Sequence, residues 1–199
     1  MPSFVITIAE NLRLKNVPDQ LRDSLIEKLQ FVNPKWIENE RMGRWNRGTP
    51  KVLRFFDKDG PHGLWIPRGY LRQLILNCRR LKISYKLDDQ RRKLQPICFD
   101  FKGRLKPFQQ TAVAQMLARD FGTLSSATGS GKTVMALKMI AERRQPALIV
   151  VHTKELAQQW IDRIGTFLGL PPEECGLIGS GKRKLGAEIT VSLVQSLYK

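Results

Sequence analysis

The octapeptide SATGSGKT at residues 126–133 constrains this chain more than any other feature. Glycines let successive backbone N–H groups curl around an anion, a lysine reaches outer phosphates, and the next hydroxyl suits Mg2+. A helix must begin at that lysine, because its free N–H groups and dipole draw negative charge. Lys132 and Thr133 occupy those two positions, and KTVMALKMIAERR (132–144) predicts the helix, closed by Pro146 behind Arg143 and Arg144. FGTLSS (121–126) predicts the strand before it. Ser126 stands where the pattern G-x-x-x-x-G-K-[ST] has its first glycine.

A second GSGK lies in IGSGKRKLG (178–186), but Arg183 replaces the hydroxyl and KRKLGAE makes a poor helix. That copy reads as a basic turn between the short strand candidates CGLIG and ITVSLV. The first copy is the nucleotide loop. Around it, ALIVVH (147–152) predicts an apolar strand, KELAQQWIDRIGTFL (154–168) an amphipathic helix and ITVSLV (189–194) another strand. Strands alternating with helices imply a parallel α/β sheet.

The first hundred residues have a different rhythm. FVITI (4–8), KVLRFF (51–56), GLWI (63–66) and KISYKL (82–87) predict strands, with DKDGPH as a hairpin turn between the middle two. PDQLRDSLIEKLQF (18–31), with Pro18 in the first turn, and RGYLRQLILNCRR (68–80) predict helices. The expected organisation is a small α+β domain over 1–104 and a parallel α/β phosphate-loop domain over 105–199, divided within QPICFDFKGRLKPFQ (95–109).

Net charge is +16, and residues 1–104 hold 22 Lys and Arg against 11 Asp and Glu. Such a surplus concentrates polyanions, of which nucleic acid is the commonest inside cells. ERMGRWNRGTPKVLRFF (40–56) places Arg41, Arg44, Arg47, Lys51 and Arg54 in a row without an intervening acid, interleaved with Trp45, Phe55 and Phe56. Guanidinium groups pair with phosphates, and an aromatic face stacks on an exposed base or wedges at a junction. The competing reading puts the three aromatics in a core and the arginines on solvated faces. RRLKISYKLDDQRRK (79–93) adds a second basic stretch. No run of eighteen apolar residues predicts a membrane span, and the opening residues lack a signal peptide's basic start. Cys78, Cys98 and Cys175, without metal-ligand spacing, read as reduced core residues of a cytoplasmic or nuclear protein.

Several stretches together resemble superfamily 2 helicases. LKPFQQTAV (105–113) is similar to the L-[RK]-P-[YF]-Q signature, and SATGSGKT to motif I, with Ser126 for the usual alanine. VVHTKELAQQW (150–160) resembles motif Ia, with His152 for a proline, and ITVSLVQSL (189–197) a later nucleic-acid contact. The combination looks most like the XPB and UvsW-type branch of DNA helicases, whose members carry a small DNA-contacting domain before the motor. The resemblance implies an incomplete RecA-like fold over 105–199, with ATP and Mg2+ as cofactors. It implies that Gln109 reads the adenine edge beside Phe108, and that Ser126, Thr128, Gly129, Ser130 and Gly131 line the phosphate cradle. Lys132 would neutralise the outer phosphates and Thr133 would hold Mg2+, as the two catalytic residues. Thr153, Lys154 and Gln195 would touch DNA. Two readings stay open beside these: Gln109 as a polar residue opening a helix, and Thr153 as a helix N-cap.

The family's acidic pair, D-E-x-[HD], is absent. Asp88–Asp89 precedes the phosphate loop, and Glu173–Glu174 follows two prolines. The expectation is an ATP-dependent DNA helicase or translocase, acting on double-stranded or branched DNA in repair or recombination, with RNA a further possibility. It would work in the cytoplasm at the nucleoid, or in a nucleus, and these residues alone would not hydrolyse ATP. Its motor would continue beyond Lys199. The alternative is a non-hydrolysing nucleic-acid-binding module with a regulatory or vestigial loop.

Overall fold

The computed structural model describes residues 3–198 and divides into two compact units, Met1–Arg92 and Lys93–Lys199. Residues 93–104 therefore lie with the second unit, where Phe99 and Phe101 pack on its core.

The first unit runs β1 (Val5–Ile8), β2 (Leu12–Lys15), α1 (Asp19–Lys28), β3 (Gln30–Val32), α2 (Pro34–Arg41), β4 (Val52–Arg54), β5 (Asp57–Lys58), β6 (Leu64–Ile66), α3 (Leu71–Arg80) and β7 (Lys86–Asp89). Among the described residues, the order β5-β6-β2-β1-β7 makes one sheet and β3-β4 a separate pair. β1 and β7 are parallel; the other neighbours are antiparallel. Alternation explains the core: Ile6 and Ile8, Leu12 and Leu14, Leu64 and Ile66 are buried, and Leu21, Leu25, Leu74 and Cys78 close over them from α1 and α3. Each such side chain contributes roughly 1.5–3 kcal/mol through burial.

Three expectations fail in this unit. KVLRFF does not pair with GLWI: Val52–Arg54 pairs with Gln30–Val32, and GLWI takes Asp57–Lys58 from inside the expected turn. KISYKL contributes only its last two residues to a strand. Lys82 takes a left-handed φ of 53° to end α3, and Ile83 N–H donates to Cys78 O, so the chain is still leaving the helix. Pro18 stands just outside α1, as its N-cap.

The second unit comprises α4 (Pro107–Leu117), α5 (Lys132–Arg143), β8 (Ala147–Val151), α6 (Lys154–Leu168), β9 (Gly176–Gly179), β10 (Lys182–Lys184) and β11 (Ile189–Leu193). Its sheet is ordered β10-β9-β11-β8, with β9, β11 and β8 parallel and β10 antiparallel to β9. β11 is buried at every position, as a central strand covered on both faces must be. Leu137, Ile161, Ile164 and Leu168 pack with Ile149, Val151, Ile189 and Val191. The fold is mixed α/β with a parallel sheet, as read from the alternating pattern. β8 ends the sheet among the described residues, and Leu148 and Val150 are about half exposed on it.

FGTLSS is not a strand. Residues 121–126 are irregular and mostly exposed, and no ladder partner stands beside them among the described residues. Cys98 is exposed rather than core, with Arg144 donating to its Sγ at 2.8 Å, whereas Cys78 and Cys175 are buried.

Candidate nucleotide and nucleic-acid sites

α4 and α5 set the geometry of the first GSGK. Gly129 and Gly131 take φ of 78° and 84°, the left-handed region open to glycine, and Gly131 is the residue from which α5 starts. Lys132 folds back over the loop, its Nζ donating to Ser126 O at 2.8 Å and Ala127 O at 2.9 Å. Ser126 and Ser130 join hydroxyls at 2.6 Å. The ammonium thus sits among its own loop's carbonyls, at the N-terminus of a twelve-residue helix, with Thr133 next to it. This donor set fits a nucleotide's phosphates. A helix N-terminus with its free N–H groups, a cation and a neighbouring hydroxyl lie there, and a phosphate oxygen makes a stronger partner for Nζ than a neutral carbonyl.

Gln109 stands at the third position of α4, where its side chain reaches back to the residue before the helix. It is buried, its Oε1 accepts from Lys106 N–H at 2.8 Å, and its Nε2 donates to Ser130 O at 2.8 Å. It opens α4 and clamps the phosphate loop from behind. A Cβ on Gly131 would stand 2.5 Å from that Nε2, so a side chain there would push the amide off Ser130 O. Phe108 is half exposed beside it.

The motif Ia residues form a second cluster. Thr153 is the N-cap of α6, its hydroxyl accepting from Leu156 N–H at 3.2 Å, and Lys154 is the first helical residue. Gln195, in the 3-10 turn Val194–Ser196, donates to His152 O at 3.0 Å. Gln195 therefore braces the loop that carries Thr153 and Lys154. Glu155 is held below the usual carboxylate range, first by its own backbone N–H and then by the Thr153 hydroxyl.

In the first unit, asparagines shape the basic turn. Asn33 caps α2 through Lys35 N–H and donates to Pro50 O; Asn39 donates to Asn46 Oδ1 at 2.9 Å, and Asn46 to Trp36 O. Tied at both ends, the turn presents Arg41, Arg44 and Arg47 to solvent with Trp45 83% exposed. The Arg47 guanidinium lies 5.6 Å from the Trp45 ring centre. The aromatics divide: Phe56 packs against the core, whereas Phe55 stacks on Phe31 at 5.2 Å, both exposed. The helical pattern of 18–31 puts Phe31 at the end of a helix, but it stands on a strand. The pairing of β3 with β4, which brings it to Phe55, leaves no local sequence signal.

The second GSGK is a hairpin turn. Ser180 and Gly181 both have positive φ, 54° and 80°, which closes β9 onto β10 with Gly179 opposite Lys182. No helix follows it, so it lacks the converging N–H groups of the first copy.

A family model described as type III restriction enzyme, res subunit, matches residues 102–199. The DNA 3'-5' translocase XPB2 of Sulfurisphaera tokodaii is 38% identical over 97 residues, 49% of this chain and 21% of that protein. The probable helicase D10 of Escherichia phage T5 is 28% identical over 136 residues, 68% of this chain and 28% of that protein. The matched segments thus span well under two thirds of either relative. In fold, the chain is similar to the UvsW helicase of bacteriophage T4, with a TM-score of 0.63 at 16% identity, covering 98% of this chain and 76% of that one.

Proposed function

We propose that this chain is the nucleotide- and DNA-binding portion of an ATP-dependent DNA helicase or translocase, a reading supported by the family model over residues 102–199, the similarity to the XPB2 translocase and the fold shared with the UvsW helicase. The observation that carries the reading is the loop at 126–133. Lys132 lies in its carbonyl nest at the start of α5, and Gln109 holds the loop from behind. Ser126, Thr128, Gly129, Ser130 and Gly131 form the phosphate cradle, Thr133 holds Mg2+, and half-exposed Phe108 meets the base, whereas the Gln109 amide, expected to read the adenine edge, is spent on Lys106 N–H and Ser130 O. Bound ATP with Mg2+ supplies the free energy of phosphoanhydride cleavage to the motor.

DNA lies against two surfaces in this proposal. The turn with Arg41, Arg44, Trp45 and Arg47 contacts backbone and an exposed base, which suits double-stranded or branched DNA in repair or recombination. Thr153 and Lys154 contact backbone, from a loop that Gln195 keeps in place. Phosphate contacts of this kind position a protein without reading sequence. No helix is long and apolar enough to cross a membrane among the described residues, in keeping with work at a nucleoid or in a nucleus.

The test is calorimetric ATP binding together with turnover, with and without DNA, for the chain and for Lys132→Ala. Binding that Lys132→Ala abolishes, without turnover, is the expected result. Absence of nucleotide binding would overturn the reading. DNA-stimulated turnover that Lys132→Ala abolishes would place the missing acids within the chain.

A further inference from the structure

The loop at 126–133 is held in its curved form by its own groups. Ser130 is fixed at three points. Its N–H donates to Ala127 O at 3.3 Å, its carbonyl accepts from Gln109 Nε2 at 2.8 Å, and its hydroxyl meets the Ser126 hydroxyl at 2.6 Å. Between the two serines, Ala127, Thr128 and Gly129 form an exposed arch. A Cβ on Gly129 would meet nothing within 4 Å, so that position needs glycine for its φ of 78° rather than for space. The arch therefore depends for its shape on how its two ends are held.

At the first end, Lys132 Nζ donates to Ser126 O and Ala127 O. A phosphate that draws the ammonium to itself removes both of those bonds. The hydroxyl bridge from Ser126 to Ser130 involves neither Lys132 nor any backbone group, so it outlasts that exchange. Glycine and alanine, the residue types that the two motif patterns place at 126, carry no hydroxyl, and the bridge belongs to this sequence. We propose that Ser126 is a positioning residue for nucleotide binding: through Ser130, its hydroxyl keeps the arch in phosphate-receiving shape before a nucleotide arrives and while Lys132 changes partners. Gln109 grips the carbonyl of the same Ser130, so one residue is pinned by its side chain and its backbone. Apparent affinity is reduced by the fraction of molecules that are binding-competent, and the bridge raises that fraction. The inference rests on the nucleotide-binding reading above and deepens it.

The test is stopped-flow fluorescence with N-methylanthraniloyl derivatives of ATP and ADP. It compares the chain with Ser126→Ala, Ser130→Ala, the double variant and Ser126→Thr. Loss of one neutral hydrogen bond should slow association about three- to tenfold, equally for both nucleotides and with dissociation unchanged. The double variant should be no slower than either single one, and Ser126→Thr, which keeps the hydroxyl, should restore the parent rate. Faster dissociation in Ser126→Ala, larger for the triphosphate, would make Ser126 a direct phosphate ligand and overturn the brace. Unchanged rates in Ser126→Ala, or losses that add in the double variant, overturn it too and leave the nucleotide reading standing. Absence of nucleotide binding by the parent chain overturns both.

Discussion

The two GSGK segments share four residues and differ in almost everything those residues do. Gly131 and Gly181 even adopt nearly the same left-handed φ, 84° and 80°. In the first copy that φ turns the chain into the helix-forming run KTVMALKM, so that N–H groups converge on one point. In the second it turns the chain into KRK, which pairs back on β9. Helix propensity over the next ten residues, rather than the tetrapeptide, decides whether the lysine ends up facing a phosphate cradle or standing on a hairpin. The first copy also has a keeper, Gln109, whose amide bonds Ser130 O. The corresponding Ser180 stands in the β9–β10 turn instead.

The largest expected difference is in nucleotide affinity. Lys132→Ala removes a charged donor, each of whose hydrogen bonds is worth about 1.5–3 kcal/mol, so calorimetry should record at least a roughly tenfold weaker affinity for ATP. Lys182→Ala should leave that affinity unchanged; a loss there would break the contrast. Gly131→Ala and Gly181→Ala come next. Both incur about 1–2 kcal/mol for a left-handed φ, but only Gly131→Ala also drives a methyl into Gln109. Thermal melts should therefore rank Gly131→Ala as the more destabilising, and it alone should impair ATP binding. Gln109→Ala leaves Lys106 N–H and Ser130 O without their partner, about 1–3 kcal/mol of lost stability if water does not replace it. Its effect on ATP binding should be nearly absent in combination with Gly131→Ala, because both act on one contact. Thr153→Ala is the smallest, about 1 kcal/mol from the lost N-cap of α6, read as a lower melting temperature with ATP affinity intact.

Where local pattern and final structure agree, the residues concerned are governed by their neighbours in sequence. The helix after Lys132, the amphipathic α6 and the apolar strands β8 and β11 are all legible because burial repeats at their own periods. The failures are matters of partnership. FGTLSS has a strand-like composition but stands beside no ladder. KVLRFF is a strand, yet its partner is Gln30–Val32, a pairing that no turn signal announces. α2 carries no apolar stripe to read, because its two large apolar residues, Trp36 and Ile37, are adjacent rather than a turn apart, and only Asn39 is buried. At the sites, spacing alone places Lys132 and Thr133. It does not place Gln109 and Gln195 as braces, since each depends on a carbonyl distant in sequence: Ser130 O for one, His152 O for the other.

Among the described residues β8 has one unladdered edge, with a consequence for handling these 199 residues. A strand with Leu148 and Val150 half exposed and one row of backbone groups unladdered offers a template to another copy of itself. What opposes that pairing is the mutual repulsion of molecules carrying sixteen excess positive charges. Salt shortens the reach of that repulsion, to about 8 Å at 0.15 M and about 3 Å at 1 M, while leaving the apolar strand as sticky as before. Light scattering by the chain should rise with ionic strength. The colloidal state of a preparation is thus governed by its buffer well before any unfolding begins.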